Sequence, residues 1–262
     1  GRRHARQHWT SLLSAHVWIA GWLSSYYLEG YHRGLDVAEM TGDYYIKRVF
    51  DLHGLRGRRL YLSVWNLTEL WDATKKEKYG KELKERVDLM LSLQKNTEQG
   101  GSLVIDRYGY SQVYVANGLS KYLQMTGDES VKNALITHAR WLRDVPPNNH
   151  DMESFLSSIS ILVLGYELSD NETFLQEAIR RSKYLHLQKI SENFESYNNQ
   201  LALHDSLEQA SSLPEGEDNF FPSIWKVSNG MRVFGWTHIY NIPYLIYSMD
   251  KANISYEIEE KN

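Results

Sequence analysis

Arg2, Arg3, His4, Arg6, His8 and Trp9 crowd the first residues of the chain, with His16, Trp18 and Trp22 just beyond. Guanidinium groups neutralise carboxylates and imidazoles exchange protons near neutral pH. His4, Arg6, His8, His16 and Trp18 are therefore candidate binders of an anion that also offers a ring to stack on, and His8 is a candidate base. An exposed basic terminus, or a seam to a further domain, would have the same composition. His4 and His8 lie four apart and would share a helix face. No carboxylate completes a His-Glu-x-x-His pattern, so neither a metal nor a cofactor is expected.

Four later segments carry the same residue types. They read Arg56-Gly57-Arg58-Arg59-Leu60-Tyr61, Asp106-Arg107-Tyr108-Gly109-Tyr110-Ser111-Gln112-Val113-Tyr114, Asn148-Asn149-His150-Asp151-Met152-Glu153, and Arg232-Val233-Phe234-Gly235-Trp236-Thr237-His238. Arg58, Arg59 and His238 are candidate contacts to an anion, and Trp225 and Trp236 are candidate stacking platforms or, equally, core residues. Such a set fits β-elimination from a uronate. Arg6 or Arg107 would hold the carboxylate, while His8, His150, Tyr110 or Tyr114 would take the C5 proton and protonate the leaving oxygen. A tyrosine base needs its pKa lowered, which a neighbouring arginine can do. Ordinary helix packing explains Tyr110 and Tyr114 as well, and segments before helices are commonly polar without a function. Hydrolysis would instead need two opposed carboxylates, for which Asp106, Asp151 and Glu153 are the candidates.

These segments must be held by the elements that follow them. Glu39-Met40-Thr41-Gly42-Asp43 and Gln124-Met125-Thr126-Gly127-Asp128 read as two copies of one helix-to-helix turn, with weaker copies at Ala73-Thr74 and Leu168-Ser169-Asp170. Glycine there would end one helix in the left-handed region, and Thr or Asp would cap the next. Aligning the two clear copies, with a one-residue shift ahead of the turn, pairs Tyr26 with Tyr110 and Gly34-Leu35 with Gly118-Leu119. The pattern predicts first helices near 25–40, 60–73, 110–125, 151–168 and 241–251, and second helices near 44–51, 77–94, 129–143 and 171–188. Second helices are charged on one side and first helices are apolar nearly all round, which implies an outer and an inner layer. The fold expected is all-α, with helical-hairpin repeats forming a complete or partial (α/α)n toroid. The copies fall at uneven intervals of about 33, 52 and 43 residues, so variable loops gather at one rim, unlike a tightly periodic solenoid. The amino ends of the inner helices would crowd the candidate residues there, where helix dipoles also favour anions. The irregular stretch 211–230 is a candidate loop beside that site.

The 262 residues, 42% of them hydrophobic, suffice for one domain spanning 1–262. Eighteen Tyr and eight Trp exceed what packing alone requires. A net charge of −4 gives no reason to expect a nucleic-acid partner, and no long apolar span suggests a membrane. The absence of Cys excludes disulfides and thiolate chemistry, yet it fits both the periplasm and the cytosol. The Asn-x-Ser/Thr triplets at Asn66, Asn171 and Asn253 carry no meaning by themselves.

The stretch Arg3-His4-Ala5-Arg6-Gln7-His8-Trp9 through Trp22, Tyr26-Tyr27-Leu28 and Met40-Thr41-Gly42-Asp43, with the hairpins that follow, resembles the carboxy-terminal α/α toroid of exo-rhamnogalacturonan lyase-type proteins. The Thr-Gly-Asp junction is also similar to that of unsaturated glucuronyl hydrolases. The resemblance implies a polysaccharide lyase acting on acidic, pectin- or ulvan-like polysaccharide or oligosaccharide, in the periplasm or outside the cell. It also implies a β-rich region preceding this domain. The rival expectations are a toroid glycoside hydrolase and a non-catalytic helical-repeat scaffold that binds a protein.

Overall fold

A computed structural model describes residues 18–53, 55–95, 98, 100–104, 111–144, 157–187 and 242–254. Among the described residues there are nine helices and no strand. They are α1 (Ala20–Glu29), α2 (His32–His53), α3 (Arg58–Thr74), α4 (Glu77–Ser92), α5 (Ser111–Thr126), α6 (Glu129–Asp144), α7 (Ile159–Ser169), α8 (Glu172–Leu187) and α9 (Ile242–Lys251). The chain is all-α.

The helices form two layers for the reason their patterning suggests. Ile159, Ile161, Leu162 and Val163 of α7 are all fully buried, as are Leu60, Leu62, Val64, Leu67 and Leu70 of α3. In α4 the buried residues Tyr79, Leu83, Arg86, Val87 and Met90 follow a helical stripe, while Lys81, Lys84, Glu85 and Asp88 face solvent. Accordingly α1 packs on α3, α3 on α5, α5 on α7 and α7 on α9, with α2, α4, α6 and α8 behind them. Each aliphatic side chain so buried contributes about 1.5–3 kcal/mol.

α3 and α5 run in one direction. Thr68 in the middle of α3 donates to the Gly118 carbonyl in the middle of α5, and Lys121 beyond it pairs with Glu69 and Asp72 beyond Thr68. Ser248 of α9 likewise donates to Glu167 near the end of α7 at 2.8 Å. The amino ends of α3 and α5 therefore share one side of the inner layer. Close approach of α3 and α5 requires Gly118, where a Cβ would sit 3.0 Å from the Trp65 nitrogen and 3.1 Å from its Cα. Backbone cannot move aside as a side chain can. Gly118→Ala is expected to lower stability by about 1–3 kcal/mol in urea titrations. Gly21→Ala, where a Cβ meets nothing within 4 Å, should raise it by about 0.5 kcal/mol.

Three of the four expected turns are present. Gly127 ends α5 at φ +64°, and the Asp128 carboxylate accepts from the Ser130 N–H at 2.9 Å to cap α6. Lys75 and Asp170 take the same left-handed conformation after α3 and α7, without glycine. Thr74 and Thr126 repeat one contact, each hydroxyl accepting at 3.3 Å from the N–H two residues on.

The turn expected at 39–43 is not there. α2 runs unbroken through Met40-Thr41-Gly42-Asp43, and the chain reverses instead at Gly30, φ +66°. Gly42 serves packing rather than turning, since a Cβ on it would lie 2.2 Å from Leu70 Cδ2 and 3.0 Å from Tyr79 Cε1. The pairing of Gly34 with Gly118 consequently joins an outer helix to an inner one. Both are close-contact glycines, Gly34 against the Trp22 carbonyl and Gly118 against Trp65.

A buried polar relay locks the first two hairpins together. The Ile19 N–H at the head of α1 donates to Asn66 Oδ1 of α3 at 3.2 Å, and Asn66 Nδ2 donates to the Tyr45 hydroxyl of α2 at 2.9 Å. Arg86 of α4 donates to the Tyr45 carbonyl at 3.0 Å and to Glu82 at 2.7 Å. Asn66 is 2% exposed, so its Asn-x-Thr triplet presents no side chain for glycosylation once folded. The device recurs in α8, where Arg181 donates to Glu177, to Ser158 and to the Leu142 carbonyl of α6.

Candidate functional site

Four of the expected site residues lie within the described residues: Trp18, Arg58, Arg59 and Tyr114. The other ten, His4, Arg6, His8, His16, Arg107, Tyr110, His150, Trp225, Trp236 and His238, lie outside them, as do Asp106, Asp151 and Glu153. Trp18 precedes α1, and Arg58 and Arg59 open α3 after Gly57, whose φ of +58° combined with ψ −145° only glycine adopts without strain. That turn brings the Arg58 guanidinium over the Trp18 ring, 5.9 Å from its centroid. Trp18 is 36% exposed, and both arginines are half-buried. A cation seated on an exposed indole at the amino-terminal side of two inner helices can meet a carboxylate and a sugar face together.

Tyr114 departs from its expected role. It is 1% exposed, and its ring centroid lies 5.9 Å from that of Trp65 in the seam between α3 and α5. A proton donor or acceptor must come within hydrogen-bond reach of the substrate. Tyr114 packs in the core, the alternative that its place on an apolar helix already allowed.

The amino end of α5 is fixed by His138 of α6. Its Nδ1 accepts from the Leu103 N–H at 3.3 Å, and Nε2 lies 2.7 Å from Gln112 Oε1. A ring that accepts at Nδ1 carries its proton at Nε2, so Nε2–H donates to Gln112. Complete burial pushes its pKa down to about 3, and the ring is neutral at physiological pH. Gln94 donates to the Gly101 and Ala134 carbonyls at 2.8 and 3.0 Å and pins the same segment to α6. His138 had no expected role. It holds the 100–104 segment and the start of α5 against α6.

Sequence reasoning also missed a cluster where α3 and α5 meet. Lys121 of α5 bridges Glu69 and Asp72 of α3 at 2.6 and 3.0 Å, and Lys75 pairs with Asp72 at 2.7 Å. The Trp65 indole donates to Glu69 Oε1 at 3.3 Å. Tyr27 of α1 is 54% exposed. Partial burial raises its phenol pKa first, followed by the charge of Asp72, with Lys121 opposing. The Asp72 carboxyl is held below the usual carboxylate range, chiefly by Lys75. Beside Lys121 on α5, Asn117 and Ser120 open onto a shallow cleft completed by Ala116, Ser160, Leu164 and Tyr244. Charged residues interrupting otherwise apolar inner helices were the available signal.

Among the described residues no helix is long and apolar enough to cross a membrane. In comparisons with known proteins, the chain matches no family model, no curated protein and no solved structure.

Proposed function

We propose that this chain is a carbohydrate-active helical-hairpin domain, of the α/α-toroid kind, that binds acidic polysaccharide or oligosaccharide and cleaves it by β-elimination. The observation that supports this reading is the Arg58 guanidinium over the exposed Trp18 ring, at the end of the inner layer where helix amino termini gather. In this reading Arg58 and Arg59 receive the uronate carboxylate, Trp18 stacks on its ring, and proton transfer falls to His8, His150 or Tyr110 beside Arg6 or Arg107. The setting that fits is periplasmic or extracellular.

The test is incubation with rhamnogalacturonan, ulvan and glucuronan while following ultraviolet absorbance of the unsaturated product. New absorbance is the expected result. Arg58→Ala should weaken binding of a uronate oligosaccharide about tenfold by calorimetry, as loss of a hydrogen bond to a charged group implies. Reducing ends released without a new double bond would select hydrolysis, and silence across the panel would exclude both. A second reading, a non-catalytic scaffold using the same face, is favoured by the burial of Tyr114. That scaffold binds a protein, and the reading predicts that rim substitutions such as Arg107→Ala disturb a protein partner rather than sugar binding.

A further inference from the structure

α1 has the composition of an inner helix, with apolar residues on nearly every side, yet Leu23 is the one residue it buries. A helix apolar all round is ordinarily covered all round. α1 ends the described row of inner helices and packs against α2 and α3. Trp22, Tyr27, Leu28 and Tyr31 are 45%, 54%, 85% and 50% exposed. With the exposed Gly21 and Ser24, they leave on the order of 500 Å² open on one copy of the chain. Two such faces together bury about 1,000 Å², the least that a specific interface needs.

At about 3.6 residues per turn, Gly21, Ser24, Ser25 and Leu28 line the side of α1 turned away from Leu23. A Cβ on Gly21 meets nothing within 4 Å, so a second backbone can come close there. Three polar groups of this helix are already paired. Ser24 Oγ donates to the Ala20 carbonyl at 2.9 Å, and the Ser25 and Tyr26 carbonyls accept from the Tyr31 and Gly30 N–H groups at 3.3 and 3.0 Å. They can leave water without losing a partner. Glu29 is the only charged residue from 19 to 31. A face without a cation does not select a nucleic acid or an anionic membrane, whereas a second copy of the chain brings the same uncharged surface.

We propose that α1 is a self-association face, which pairs antiparallel with α1 of a second copy about a two-fold axis between Ser24 and Ser25. That axis sets each Leu28 over the second copy's Gly21, a knob in the gap that a missing side chain leaves. The two Glu29 carboxylates then lie roughly 13 Å apart along the helices, beyond the screening length of about 8 Å at physiological salt. This contact stands apart from the carbohydrate reading.

Sedimentation equilibrium of the full chain, over concentrations spanning a Kd on the order of 10 µM, is expected to show a reversible dimer. Leu28→Glu and Gly21→Gln each alter an exposed position and keep the fold, and each should raise Kd about tenfold or more. The chain has no cysteine, so Ser24→Cys introduces its one thiol beside the axis. Oxidised by dissolved oxygen, that variant should give a disulfide-linked dimer, whereas Ser92→Cys at the exposed end of α4 should not. A wild-type chain that stays monomeric at every concentration overturns the proposal. So does a dimer that both substitutions leave unchanged. Oligomers that grow beyond two would mark an end-to-end contact of α1 with α9, whose Ile246 and Tyr247 are also exposed, and would overturn the two-fold pairing.

Discussion

Lowering the pH from 7 to 5 is expected to remove about 2 kcal/mol of folding stability that His138→Gln does not lose. His138 is completely buried between α6, the 100–104 segment and α5, and its folded pKa of about 3 lies far below the ordinary value of 6.5. Between these two values the unfolded chain binds a proton that the folded chain refuses. Stability therefore rises with pH across that window: the contribution is complete above 6.5 and drains away as pH falls toward 3. The slope is about 1.4 kcal/mol per pH unit. Above pH 5 the lowered carboxyl groups of Asp72, Asp128 and Glu177 have barely begun to act, and the difference between wild type and His138→Gln separates this histidine from the other nine. Glutamine has no proton to gain there, and urea midpoints of the two proteins at both pH values make the comparison. Parallel losses in wild type and variant would refute the assignment.

Glu82→Leu is expected to cost about 3 kcal/mol, and adding Arg86→Met to restore most of it. The Arg86 side chain is fully buried and Glu82 is 14% exposed. Burial pulls the arginine's pKa down, and the Glu82 carboxylate opposes that pull. Removing the carboxylate leaves a guanidinium in a low-dielectric site with its countercharge gone, which is the costly way to break a buried pair. Replacing both partners with apolar side chains removes the desolvation penalty too. A double-mutant cycle from denaturant unfolding reads the difference. A single-variant cost within 0.5 kcal/mol of zero, as for surface ion pairs, would show that Glu82 has no part in holding α4 against α2. In α8 the same substitution at Glu177 is less informative, because Arg180 shares that carboxylate with Arg181 at 2.6 Å.

The class of fold and three of its turns could be read from the chain because they depend on neighbours in sequence. The stripe of Tyr79, Leu83, Val87 and Met90, the cap at Asp128 and the left-handed Gly127 are decided within a few residues. The first hairpin could not be read that way. Thr41-Gly42-Asp43 and Thr126-Gly127-Asp128 are identical triplets, yet one continues a helix and the other ends one. What distinguishes them is Leu70 and Tyr79 pressing on Gly42 from other helices, a contact no local pattern carries.

The candidate site divides along the same line. Composition alone marked arginine, tyrosine, histidine and tryptophan before inner helices as possible anion binders, since residue type determines charge and hydrogen-bonding capacity. Tertiary packing decided where the described ones lie. It set Arg58 over Trp18 across 40 residues of chain and sealed Tyr114 against Trp65. It also drew Lys121 onto Glu69, 52 positions away, to make a polar inner face. Burial and proximity belong to the folded assembly of helices, and a residue's chemistry becomes a site only after the assembly has settled both.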